Sequence, residues 1–531
     1  MRVSPWPAEL AARYRAEGLW IDEVFDDILA GKAADPEFAG RVAVLDAQRS
    51  LTYRELDDRV ARLAAGLANR GIAPDDRVLL QIPNCVAFVE VVFALWRLRA
   101  LPVFGLPAHR EAELTGIARA AGVVAIVSPA ARAGFDYRGL AQTVADQVPS
   151  VRELIDSDSL EDLWATPITH ARAHPEDLAF LQLSGGSTGI PKLIPRTHAD
   201  YLYSVRQSNV VCGVDADTVY LVALPVAHNF PMSSPGILGA LHAGGRVVLA
   251  EQPLPSVAWE LLERERVTMV GLVPPLARVW TEAAERGTEY DLSSLVTVQV
   301  GGARCPDELA RRIGPALGVT LQQVFGMAEG LVCYTRLDDP TDEVIGTQGR
   351  PMSAYDELRL VDEDGNVVDD GPGFLETQGP YTIRGYWAGA QGAGAASGSA
   401  GTVPGAQSFA PDGWYRTGDI VEFSAAGNLI VRGRGTDRIN RGGEKVSAEQ
   451  VEEELLAHPQ IRDALVVASA DKYLGERTCA YVIPVDPSAP PTLPEIRAFM
   501  RKAGLAEWKL PDILEILERF PETGVGKVSR K

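Results

Sequence analysis

Cysteine is scarce in this chain: five residues in 531, at positions 85, 212, 305, 333 and 479, an odd number with no pair at metal-ligand spacing. That excludes a disulfide framework and a zinc ribbon, and it fits a reducing compartment. Long apolar runs are missing too, since no uninterrupted stretch of ~18 apolar residues occurs anywhere. The N-terminal stretch MRVSPWPAELAARYRAEGLW places charges through the window where a secretory core would lie. Together these absences predict a soluble, cytoplasmic protein. Clustered positive charge is the third thing lacking. Acids outnumber bases 71 to 51, for a net charge of −20, and no segment gathers Lys and Arg into a phosphate-neutralising face. Nucleic acid and anionic membranes are thus not expected partners. What is present is globular: 46% hydrophobic, 23% charged and 7% aromatic residues, enough apolar surface for a sizeable core. At ~150 residues per domain the length predicts three or four compact units, or one large and one small lobe.

Thr52 followed three residues later by Glu55 is a capping box. Leu56, Val60, Leu63 and Leu67 then recur at helical spacing until Gly71 supplies a stop. After a turn at Pro74-Asp75-Asp76, residues 78–82 read as a buried strand and 86–98 as the helix that follows. The same rhythm returns at 218–224, 246–249, 269–272 and 295–300, which predicts an α/β lobe with largely buried sheets. The segment GAQGAGAASGSAGTVPGAQ, 389–407, is too poor in large apolar groups to bury itself and reads as a flexible surface insertion. Beyond Gly433 the pattern changes: Ser447 and Gln450 suggest a second capping box, with strands at 465–468 and 479–484 and a helix at 494–502. Roughly the last hundred residues therefore read as a separate small α+β lobe. No internal repeat is evident.

After the apolar run 178–183 comes Ser184-Gly185-Gly186-Ser187-Thr188-Gly189-Ile190-Pro191-Lys192. Glycines let backbone N–H groups curl around phosphate oxygens, the hydroxyls add donors, and Lys192 adds a mobile positive charge. A Walker A loop it is not, because no Gly-Lys-Ser/Thr occurs at the required spacing. By composition alone, a plain Gly/Ser turn fits as well.

SGGSTGIPK closely resembles the phosphate-loop signature of the adenylate-forming superfamily of acyl-CoA synthetases, luciferases and peptide-synthetase adenylation domains. Further motifs follow in that family's order: FGMAEG at 325–330, YRTGD at 415–419, GRGTDRINRGGEKV at 433–446 and GVGK at 524–527. The resemblance is closest to the stand-alone aryl-acid ligases, above all 2,3-dihydroxybenzoate-AMP ligases. It implies an α/β fold in which a large multi-subdomain N-terminal lobe, 1–433, carries the ATP and aryl-acid pockets. A small mobile α+β lobe, 434–531, would carry a catalytic lysine loop.

The resemblance also implies roles for individual residues. Ser184, Gly185, Gly186, Ser187, Thr188 and Gly189 would cradle phosphates together with Lys192, while Gly302, Val324, Phe325 and Gly326 would border the nucleotide. Glu329, an ordinary exposed acid if read alone, matches the family's magnesium carboxylate, a hard ligand for an ion bridging phosphates. Ala328 stands where many superfamily members carry Thr. Asp419 would accept hydrogen bonds from both ribose hydroxyls, with Arg434 its partner near ribose and phosphate; outside the motif each would pass for a turn residue or a surface ion pair. Lys527 would touch the α-phosphate and the attacking carboxylate during adenylation, where a cation stabilises charge as two anions are pressed together. Thr436 and Asp437 would form a hinge, and Lys445 would face the site in the second half-reaction.

For the acid, the segment His228-Asn229-Phe230-Pro231-Met232-Ser233-Ser234 places Asn229 where amino-acid adenylation domains carry an Asp for the substrate ammonium. A neutral amide cannot repay the desolvation of a buried ammonium, whereas it can bond an ortho-hydroxyl. An aryl acid is expected. Ser234 resembles the residue near the ring 3-position in dihydroxybenzoate ligases; Phe230 is commoner in salicylate ligases; Gly301 and Val332 would complete the pocket. The expected reaction joins 2,3-dihydroxybenzoate, or salicylate, to AMP from Mg²⁺-ATP. The acyl group would then pass to the phosphopantetheine thiol of an aryl carrier protein, in siderophore or nonribosomal peptide biosynthesis. The alternatives are an aroyl-CoA ligase using free CoA, a 3-hydroxypicolinate-type ligase and a non-catalytic nucleotide-binding regulator.

Overall fold

The computed structural model describes residues 6–184, 192–369, 371–389, 405–435, 438–441, 444–471, 474–503, 505 and 507–521. The predicted Thr52 capping box is formed: the Thr52 hydroxyl accepts from the Glu55 N–H, and the Glu55 carboxylate accepts from the Thr52 N–H at 2.9 Å. The helix it starts, Tyr53–Asn69, buries Leu56, Val60, Leu63 and Leu67. Gly71 follows in the left-handed region at φ +82°. Helix Val86–Leu98, apolar on nearly every face, is buried all round, as a helix lodged between layers must be.

Two sheets build the large lobe. Among the described residues the larger has nine strands, and its parallel centre runs in space Thr320–Gly326, Thr297–Gly301, Met269–Leu272, Val219–Val222, Arg246–Leu249, Val42–Leu45. From Val219–Val222 the chain steps outward to Arg246–Leu249. It then crosses back over Val219–Val222 to Met269–Leu272 and continues outward on the other side. Strand order therefore reverses between Val219–Val222 and Met269–Leu272. A reversal of this kind parts the connections at the carboxyl ends of the strands and opens a crevice there. The second sheet has six strands, with the antiparallel pair Leu178–Leu183 and Leu193–Thr197 at one edge. Residues 185–191 connect that pair. At its neck the Ser184 N–H donates to the Lys192 carbonyl at 2.9 Å, and the Lys192 N–H donates to Ser184 Oγ at 3.0 Å.

A five-stranded antiparallel sheet follows, ending in Tyr415–Phe423 and Leu429–Arg434. The C-terminal region pairs Glu444–Ser447, Arg438–Arg441, Gly475–Pro484 and Ile461–Asp471 in that order, with Ile513–Ile516 added beside Gly475–Pro484 and helices Ala448–Leu456 and Leu493–Lys502 packed on a core of its own. Helix Ala448–Leu456 meets the end of strand Leu429–Arg434: Ser447 Oγ donates to the Arg432 carbonyl at 3.0 Å, and Arg304 reaches Glu453 at 3.1 Å.

Two expectations need correction. The Ser447 box is only half made. Ser447 Oγ accepts from the Gln450 N–H, but the Gln450 side chain accepts from Lys509 Nζ at 2.8 Å, a stronger charged donor than a backbone amide. The reciprocal box lies instead at Thr492 and Glu495. In the segment read as a flexible insertion, residues 390–404 lie outside the described residues, and its last part, 405–407, is folded. Ala406–Ser408 is a short 3₁₀ turn, and Gly405, at φ +71°, lies against the Tyr386 ring, where a Cβ would approach Tyr386 Cδ2 to 2.4 Å. The five cysteines are free, as expected, and all but Cys85 are buried. Among the described residues no helix is long and apolar enough to cross a membrane.

Candidate active site

Several of the sequence motifs follow the carboxyl ends of the strands at and beside the strand-order reversal. From the carboxyl end of Val219–Val222 the chain runs into a short helix, Asn229–Ser233, capped by His228, whose Nδ1 accepts from the Phe230 N–H at 3.3 Å. Phe230 is buried, and its ring lies against Gly271 and Gly301, where added β-carbons would each come within 3.3 Å of it. Those two glycines leave the room that the phenyl ring fills, so Gly301 serves Phe230 and Val324 before any ligand. Gly302 follows at φ +83°, a left-handed turn at the end of the strand. Val324, Phe325 and Gly326 end the neighbouring strand, and Val332 pairs back with Gly326 across an antiparallel turn.

Asn229 is half-buried, and its Oδ1 accepts from the Tyr201 hydroxyl at 2.7 Å. Ser234 is buried beside Tyr334, whose hydroxyl shares a 2.9 Å bond with Ser208. Val332 donates its N–H to the Tyr381 hydroxyl at 3.1 Å, and that hydroxyl donates to Asp356 Oδ2 at 2.6 Å. Asp356 is partly buried, with its Oδ1 shut off from solvent; burial pushes its carboxyl up to about 8, against the opposing bonds from Tyr381 and the Ser353 backbone.

Glu329 sits in the turn between Phe325 and Val332 and is 7% exposed. Its Oε1 accepts from the Tyr386 hydroxyl at 2.9 Å, and Tyr386 meets Tyr415 at 3.1 Å. Burial raises its carboxyl above the ordinary range, while the Tyr386 bond and the charges of Lys192 and Arg434 pull the other way. The phosphate-loop lysine, the strand arginine and the buried carboxylate thus share one electrostatic neighbourhood. Lys192 Nζ lies 4.7 Å over the Tyr386 ring and donates to Ser408 Oγ at 3.3 Å. Asp419 and Arg434 are direct partners across the Tyr415–Phe423 and Leu429–Arg434 ladder, with Arg434 Nε donating to Asp419 Oδ1 at 3.0 Å. That pairing explains why the two motifs lie fifteen residues apart: the distance is a hairpin.

Several of the expected residues lie outside the described ones: Gly185, Gly186, Ser187, Thr188 and Gly189 of the loop, the hinge pair Thr436 and Asp437, and Lys527. Lys445 is in strand Glu444–Ser447, opposite Asn440, and only its backbone is described. Arg196, Tyr201, Tyr381 and Tyr386 escaped sequence reasoning. Arg196 is 2% exposed, bonds Asp200 Oδ1 at 2.9 Å and donates to the Ala328 carbonyl at 3.0 Å, thereby holding the loop that carries Glu329. A buried arginine needs such a carboxylate, and the Thr197-Asp200 spacing of a helix N-cap was the available sequence signal.

Residues 32–387 match the AMP-binding enzyme family, and residues 450–527 match the AMP-binding enzyme C-terminal domain. The chain belongs to the AMP-binding enzymes. Within that family it is 51% identical to the 2,3-dihydroxybenzoate-AMP ligase of Bacillus subtilis, over 99% of this chain and 96% of the relative. It is 47% identical to pyochelin synthase PchD of Pseudomonas aeruginosa, over 99% and 94%. The apo structure of MbtA from Mycobacterium smegmatis superposes with a TM-score of 0.75 at 42% identity, covering 99% of this chain and 97% of that one. The two-part adenylate-forming fold, a large α/β N-terminal region followed by a small C-terminal one, is thereby established for this chain.

A magnesium ion fits the donor set. Glu329 would supply one buried hard oxygen ligand, held by Tyr386, and the described residues contain no cluster of three metal-binding side chains. Mg²⁺ is commonly held by one or two carboxylates plus substrate phosphates rather than by an all-protein cage.

Proposed function

We propose that this AMP-binding enzyme activates an aryl carboxylic acid with ATP, 2,3-dihydroxybenzoate ahead of salicylate, and passes the acyl group to a phosphopantetheine thiol on an aryl carrier protein. The division of labour would be 1–433 for both substrates and 434–531 for the moving lysines. The observation that carries the reading is the half-buried Asn229 amide in the crevice at the strand-order reversal. A carboxylate at that position would suit an ammonium; an amide suits an oxygen acceptor. Full-length similarity to a 2,3-dihydroxybenzoate-AMP ligase supports the acid class. Ser234 supports the second ring hydroxyl: buried beside Tyr334, its hydroxyl has hydrogen-bonding capacity for a ligand.

In the first step an oxygen of the aryl carboxylate attacks the α-phosphorus in line. A new C–O–P linkage forms, the bond to the β-phosphate oxygen breaks, and pyrophosphate leaves with that electron pair. Asp419 orients the ribose, with Arg434 beside it; the 184–192 loop holds the phosphates, and Lys527 lies between the two anions. Mg²⁺, when bound at Glu329, supplies neutralisation of phosphate charge. In the second step the thiol sulfur, having lost its proton, attacks the acyl carbon and AMP departs, with Lys445 turned toward the site after rotation at Thr436 and Asp437. Pyrophosphate exchange across benzoate, salicylate, 2,3-dihydroxybenzoate, 3-hydroxypicolinate and a set of amino acids tests the reading. Fastest exchange with an amino acid overturns it, and thioester formation on free CoA in preference to a carrier protein replaces the acceptor.

A further inference from the structure

The Asn229 amide is held from behind. Tyr201 lies on helix His198–Cys212 with its ring fully buried, edge-on to Phe180 at 4.8 Å between centroids. The Arg196 guanidinium lies 4.9 Å from the Tyr201 ring centroid, and Arg196 is itself tied to Asp200 Oδ1 and the Ala328 carbonyl. The ring therefore cannot swing. Its hydroxyl donates to Asn229 Oδ1 at 2.7 Å, and the buried Ser233 hydroxyl lies near enough to act on the same phenol. A phenol has one proton to give. With that proton on Oδ1, half a turn of the amide would set an N–H donor against the O–H donor unless the phenol also turned away and gave up the 2.7 Å bond. The Tyr201 bond therefore favours one orientation of Asn229, with the carbonyl toward Tyr201 and the two N–H donors left for the crevice.

We propose that Tyr201 is a positioning residue that locks the Asn229 amide donor-outward, so that the pocket selects aryl acids whose ortho substituent accepts a hydrogen bond and rejects those whose ortho substituent only donates. The proposal rests on the aryl-acid reading of the crevice. An ortho-hydroxyl bonds its proton to its own carboxylate and presents oxygen lone pairs outward. An ortho-amino group presents N–H outward, its lone pair delocalised into the ring. Facing a fixed NH₂, the first is satisfied, and the second leaves two donors in opposition. Sites built around one hydrogen-bond polarity discriminate strongly because the wrong ligand leaves buried groups unpaired.

The test compares wild type with Tyr201→Phe by pyrophosphate exchange on salicylate, 2-aminobenzoate and benzoate, with the KM for ATP recorded alongside. In the variant the amide is free to turn. The ratio of kcat/KM for salicylate over 2-aminobenzoate should then fall about tenfold or more, partly through gained activity on 2-aminobenzoate, while benzoate, which offers the amide nothing, changes less than either. Ser233→Ala, which removes the hydroxyl beside the phenol, should lower the same ratio by a smaller factor, and it carries the test if Tyr201→Phe does not fold. An unchanged ratio overturns the proposal, as does an equal loss on all three acids, which would mark Tyr201 as a packing residue only. Wild-type enzyme that exchanges with no aryl acid overturns the functional reading itself, a result visible before any variant is made.

Discussion

Asp356→Asn should change how stability depends on pH, and the size of the effect follows from burial. The Asp356 side chain is partly buried, with Oδ1 shut off from solvent, and burial raises its carboxyl from 3.8 to about 8, with the Tyr381 hydroxyl and the Ser353 backbone opposing that rise only in part. Below pH 4 the carboxyl is protonated in folded and unfolded chains alike, and it imposes no penalty. As pH rises from 4 to 8 the unfolded chain releases the proton and the folded chain keeps it, so each pH unit costs the fold about 1.4 kcal/mol. Between pH 5 and pH 7 the loss attributable to this one group is about 2.7 kcal/mol, and above pH 8 it levels off. Asparagine keeps the shape and an acceptor for the Tyr381 hydroxyl, but it does not titrate. Urea unfolding of both proteins at half-unit steps from pH 5 to 8 isolates the term, because every other titrating group, including buried His198, which burial holds down to about 3, is common to the two. The wild type should lose stability relative to the variant by about 1.4 kcal/mol per unit across that range. Parallel profiles would refute the assignment of a neutral, buried carboxyl behind Val332.

Other outcomes follow from the site. Lys527→Ala should slow acid-dependent pyrophosphate exchange by about 10²-fold or more, while transfer from a supplied acyl-adenylate to carrier protein, followed by mass spectrometry, falls far less. Tyr386→Phe removes the hydrogen bond that orients Glu329. At ~1.5–3 kcal/mol for a bond to a charged group, it should raise the apparent KM for Mg²⁺ by roughly ten- to a hundredfold, and a titration at saturating ATP reads this directly. Ser234→Cys should shift the ratio of kcat/KM toward salicylate over 2,3-dihydroxybenzoate by about tenfold, since a thiol bonds the second ring hydroxyl poorly; an unchanged acid profile would show that Ser234 does not read the ring.

What could be read along the chain was what the chain holds in local order. The Thr52–Glu55 cap, the 86–98 helix and the strands 178–183, 246–249 and 269–272 depend on side chains three or four residues apart, or on an unbroken apolar run, and the structure reproduces them. The failed half of the Ser447 box shows the limit of that logic: Lys509, 59 residues away, outcompeted the local backbone donor. The candidate site divides in the same way. Its motif residues were legible because each motif is a short segment with chemistry of its own. Their supports were not. Tyr201 meets Asn229 across 28 residues, Tyr386 meets Glu329 across 57, and Val332 meets Tyr381 across 49. Sequence alone therefore determined the class of fold and the kind of chemistry. Only the folded chain decided what the Asn229 amide bonds, which carboxyl burial pushes up and what holds Glu329, because a buried polar group takes its state from whatever partner packing brings close, and covalent order does not name that partner.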